Sequence, residues 1–132
     1  MAAGDWIPFG EGRYLAERVF LVGDGGRLGV EIEETVVEVT EDGRGRRLRG
    51  RGRVRNDLLV ELLETPDEPE LWLDMGGGIA FCLEADIQAG KVFTPGLKSF
   101  ALFLPRRPGR PVDPAEFNSR IAGLRSPGDP EG

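Results

Sequence analysis

The chain contains no histidine and a single cysteine, Cys82. Without an imidazole there is no Ser-His-Asp or Cys-His nucleophile system and no His-ligated metal centre, and one thiolate cannot assemble a structural zinc or iron-sulfur site. A lone cysteine also forbids an internal disulfide, which fits a reducing compartment. No apolar run approaches the roughly 18 to 20 residues that span a bilayer. The opening MAAGDWIPFGEG has neither the charged nor the apolar region of a signal peptide. A cytoplasmic protein without a membrane span is therefore expected. The glycine-rich stretches at 23–29 (GDGGRLG) and 76–78 lack the GxxxxGK spacing of a phosphate loop and read as tight turns. No bound cofactor and no transition metal are expected.

What is present is charge of one sign, concentrated. Between positions 44 and 55 lie seven arginines (Arg44, Arg46, Arg47, Arg49, Arg51, Arg53, Arg55) and no acidic residue, in a chain of net charge −6. Setting those seven aside leaves 10 basic against 23 acidic residues, a balance of −13. Arg47, Arg49, Arg51, Arg53 and Arg55 recur at two-residue spacing, so in a strand all five leave from one face. That stripe is either a binding surface for an anionic partner or the positive half of an internal ion-pair ladder.

The rest of the pattern is that of a small β-rich domain. A length of 132 residues, 39% apolar and 30% charged, fits one domain with a single core. Strand signals cover 13–22, then 28–39 with a slip of apolar phase at Glu33-Glu34 that marks a bulge. Asp42-Gly43 supplies a type I′ hairpin turn before the arginine strand. The run 58–63 (LLVELL) reads as a buried strand or equally a helical turn. ELWLD at 70–74, 79–85 and SFALFL at 99–104 complete about seven strands, with a short extended piece around Val92-Phe93. Asp113 as N-cap, Pro114 at the first helical position and Glu116 at the capping-box position open a helix near 114–124, with Phe117, Ile121 and Leu124 as its apolar stripe. The expectation is an all-β barrel or sandwich over residues 1–125, closed by this C-terminal α-helix, with 126–132 a disordered tail. The element order resembles that of pleckstrin-homology-like barrels, in which a terminal helix closes one end, and lipocalin-like and other small barrels share it.

Candidate sites follow from these patterns. If Asp42-Gly43 form the loop, residue numbers across the hairpin sum to 85, placing Glu38 opposite Arg47 and Glu34 opposite Arg51. Such a ladder neutralises the stripe, and it is more economical than a polyanion site because no aromatic alternates with the arginines. Trp6 and Phe9, in the proline-containing arm DWIPFG, are either a partner site or a clasp on the core. Glu84 and Asp86 share a strand face at the separation of an acid/base pair, but a solvated outer face explains them better. Cys82 reads as buried and inert, and Trp72 as core or cavity lining. The function expected is a non-catalytic adaptor engaging a protein partner or a second copy through Arg47, Arg49, Arg51, Arg53, Arg55, Trp6 and Phe9. A small apolar or anionic ligand held in the barrel is the alternative, and nucleic acid is not expected. A filled core and an open cavity would distinguish the first from the second.

Overall fold

The computed structural model describes residues 6–89 and 98–127. The expected extended piece at Val92-Phe93 and the end of the expected tail, residues 128–132, lie outside this range. Nine strands and two helices follow in order: β1 (Gly12–Leu15), β2 (Arg18–Gly23), β3 (Leu28–Glu31), β4 (Glu33–Asp42), β5 (Gly45–Arg55), α1 (Asn56–Leu63), β6 (Glu70–Gly76), β7 (Ile79–Ala89), β8 (Lys98–Pro105), β9 (Arg110–Val112) and α2 (Pro114–Ala122). The sheet is antiparallel with strand order β1-β4-β5-β8-β7-β6-β2-β3, and β9 pairs with β7. It is not closed. Its two ends are joined at the corners by the chain itself, where Ala16 N–H donates to Thr35 O at 2.9 Å and Ile32 N–H to Val19 O at 2.8 Å.

The mainly-β class and the C-terminal helix are as expected, and the described residues form nine strands where about seven were expected. The segment 13–22 is cut into β1 and β2, and 28–39 into β3 and the first part of β4, because the sheet bends at both places. At the second bend the register between β4 and β5 slips after Glu33, and Glu34 takes a left-handed φ of 52°. The proline-rich segment 105–111 (PRRPGRP) runs into a short strand, β9, at Arg110–Val112. In the other direction, 58–63 belongs to a helix. Leu59 and Leu62 are fully buried while Val60 and Leu63 are exposed, a spacing that helical geometry satisfies and strand alternation does not.

The concave side is filled. Val37, Leu59, Leu62, Leu71, Leu73 and Leu83 are each 0% exposed and belong to one apolar cluster with Leu48, Phe81 and Phe103. A second cluster lies under α2, where Phe117 meets Val22, Trp72, Ala80, Cys82 and Val112. Strands β6 and β7 are thus covered on both faces, and the helix packs on the outside of the sheet. Asp113 caps it by accepting from Glu116 N–H at 2.8 Å. Beyond the helix, Arg125 is bonded to the sheet edge through Gly29 N–H and Arg27 O, both at 2.9 Å.

Candidate binding surface

The arginine strand is β5. Leu48, Gly50, Gly52 and Val54 point into the core, and the odd-numbered arginines point out. The glycines are required there: a Cβ on Gly52 would stand 2.8 Å from the Glu33 carbonyl oxygen, and one on Gly50 would enter the Phe103 ring.

The hairpin register differs from expectation by one turn residue. Asp42 pairs with Gly45, so Gly43 and Arg44 form the loop, and Arg44 N–H donates to Asp42 Oδ1 at 2.8 Å. Neither loop residue has the positive φ that a type I′ turn needs; Gly45 does, at 116°. Paired numbers therefore sum to 87, which shifts every partner by two and leaves the faces unchanged. Arg49 stands opposite Glu38, Arg51 opposite Val36 and Arg47 opposite Thr40.

The ladder exists with other rungs. Glu38 accepts from Arg49 at 2.5 Å and also from Arg13 at 3.2 Å, so one carboxylate serves two guanidiniums. Arg49 first, then Arg13, holds its carboxyl below the usual carboxylate range. Glu34 sits 3.6 Å from Arg53, Asp42 3.5 Å from Arg47 and Asp57 2.7 Å from Arg55. Arg46 pairs with Glu41 and donates to Ile7 O at 2.9 Å. Among the described residues, Arg44 and Arg51 have no carboxylate partner.

Beside the arginines runs a stripe that sequence reading missed. On β8, Ala101 and Phe103 are buried, while Phe100, Leu102 and Leu104 are 63%, 46% and 54% exposed. Arg51 pairs with Leu102 and Arg53 with Phe100. Across the sheet, Leu15, Val36, Arg51, Leu102 and Gln88 make one outward row over five strands, and Leu15 is 73% exposed. SFALFL is apolar on both faces, as a doubly covered core strand would be, and here one face is left uncovered. Two open grooves follow the β5–β8 seam. One, of about 250 Å³, lies between Arg49, Arg51 and Leu102. The other, of about 260 Å³, opens where the two strands cease to pair and is floored by Trp6, Ile7 and Leu48.

The remaining candidates take quieter places. Trp6 packs edge-on against Phe81 at 5.2 Å and Phe9 against Tyr14 at 4.9 Å, both half-buried. Glu84 and Asp86 are exposed, 3.3 Å from Arg107 and 3.4 Å from Arg106 respectively. Cys82 is buried under α2, where burial and then the Glu70 carboxylate push its pKa up to about 12. Trp72 lies in the α2 cluster, not the concave core. Comparison with protein-family models, curated proteins and solved structures returns no match to this chain.

Proposed function

We propose that this protein is a non-catalytic binding module that engages a protein partner through the outer face of β1, β4, β5, β8 and β7. The observation that carries the reading is the outward row Leu15, Val36, Arg51, Leu102, in which half-buried Val36 and exposed Leu102 flank a guanidinium without a counter-charge and Leu15 lies exposed beyond them. Contiguous apolar surface is costly to leave in water, and an arginine at its centre is the composition typical of interface hot spots. The filled concave side supports an external site over a ligand carried inside. Carboxylates Glu34, Glu38 and Asp42 among the arginines argue for a mixed protein surface over a polyanion, whose phosphates they would repel.

The test is a photo-reactive amino acid placed at Leu102 and, in a separate strain, at exposed Ser119 on α2 as the comparison position, in the cells that make the protein. A discrete protein adduct from position 102 is expected. Irradiation that yields no adduct at position 102 would remove the basis for the reading.

A further inference from the structure

Among the described residues, six large hydrophobic side chains are exposed, and they fall in two places. Leu15, Phe100, Leu102 and Leu104 occupy the sheet face, and Val60 and Leu63 occupy α1. The charges are distributed in the complementary sense. Helix α1 has no basic residue within Asn56–Leu63, and Asp57, Val60, Glu61 and Glu64 recur at i, i+3, i+4 and i+7 on its solvent side. Among the described residues Glu61 and Glu64 have no ion-pair partner, as Arg51 has none on the face. Each patch thus carries what the other lacks.

We propose that the partner is a second copy of this chain, with α1 of each copy lying on the arginine face of the other. This inference rests on the reading above, that the face binds protein. A helix suits the site because β5 is bonded on both sides, to β4 and β8, and β8 to β5 and β7. No strand edge is free at the centre of the face, so an occupant must satisfy its own backbone. Glu61 and Glu64 are separated by about 5 Å along the helix axis. Successive outward arginines on β5 stand roughly 6.6 Å apart, close enough for both carboxylates to reach guanidiniums around Arg51. Val60 and Leu63 then meet Leu102 and Leu104. Because α1 begins at Asn56, directly after the last arginine of β5, the two patches lie on consecutive elements of the chain. A two-fold axis between them satisfies both at once, which gives a closed dimer and no open fibre.

Sedimentation velocity on the purified full chain tests this, with concentration raised from about 1 to 200 μM to cover micromolar association. A dimer that weakens at high salt is expected. Arg51→Glu and Glu61→Arg should each weaken it by about tenfold or more, and the double variant should restore it, since the ion pair is then re-made with its polarity reversed. Both positions are exposed, so melting temperatures report whether the variants are folded. A chain that stays monomeric at every concentration overturns the inference, as does a dimer indifferent to both single changes or one that the double change fails to restore. If it is monomeric and Leu102 nevertheless cross-links to a different protein, the face remains a binding surface and only the second-copy assignment falls.

Discussion

Replacing Gly52 by alanine tests why an arginine strand can lie where β5 lies. The new Cβ would stand 2.5 Å from Ile32 Cγ2, 2.6 Å from Thr35 Oγ1 and 2.8 Å from the Glu33 carbonyl oxygen. Ile32 Cγ2 sits on the branched Cβ of a buried core side chain, and the other two are held as firmly. Thr35 is buried with its hydroxyl donating to Ile32 O at 3.0 Å, and Glu33 O is backbone at the bulge. Relief therefore requires β4 and β5 to separate at their register slip, and overpacking of this kind costs about 1–3 kcal/mol. At roughly 4 °C per kcal/mol for a domain of this size, the melting temperature should fall by about 4–12 °C. Gly43→Ala is the control: nothing lies within 4 Å of its Cβ and its φ is not left-handed, so it should be neutral or stabilise by up to about 1 kcal/mol. Thermal melts followed by far-UV circular dichroism compare the two. Equal melting temperatures for Gly52→Ala and the parent would refute the close approach of the strands.

Phe117→Ala removes a fully buried ring that contacts Trp72 at 6.2 Å and Phe20 at 6.5 Å; a loss of about 3–5 kcal/mol is expected in urea denaturation, and an unchanged midpoint would mean that α2 is not docked. Cys82, at about 12 against 9.0, should carry roughly a thousandfold less thiolate than a free thiol, so alkylation at pH 8 should wait for unfolding. Its folded value is raised, so its contribution is intact below the unfolded pKa and is lost as pH rises from there toward the folded one; native and Cys82→Ala proteins should diverge in stability on the alkaline side. Glu38 and Asp57 are lowered, first by Arg49 and Arg55 respectively, so their contribution is present above the ordinary carboxylate range and lost as pH falls through the lowered values. Urea midpoints taken between about pH 5 and 2 should fall less steeply for Glu38→Gln than for the parent.

Local chemistry was legible wherever one principle decided it. Asp113-Pro114 with Glu116 fixes a helix start whatever surrounds it, and the phase slip at Glu33-Glu34 required a bulge because strand alternation has a period of two. The faces of β5 survived an error in its turn because the register moved by two residues, which preserves parity. Failures occurred where tertiary context decides. LLVELL, open between strand and helical turn in the sequence, has no periodicity of its own, and packing of Leu59 and Leu62 against the sheet decides for the helix. The ladder partners depended on a one-residue choice between Asp42-Gly43 and Gly43-Arg44, and Gly45, not Gly43, supplies the positive φ. The apolar stripe on β8 was hidden because SFALFL looks like a core strand until its neighbours are known to be β5 and β7. Trp6 and Phe9, by contrast, showed their aromatic character in sequence, and they pack against Phe81 and Tyr14 while remaining half-buried.

The most direct measurement is the yield of cross-linked adduct from a photo-reactive residue at Leu102, compared between the parent chain and Arg51→Glu. Leu102 and Arg51 are paired neighbours on the outer face, so a partner held there is expected to give a discrete adduct that the charge reversal largely abolishes while leaving the melting temperature unchanged. An adduct formed equally in both backgrounds, or none in either, would contradict a binding role for this face.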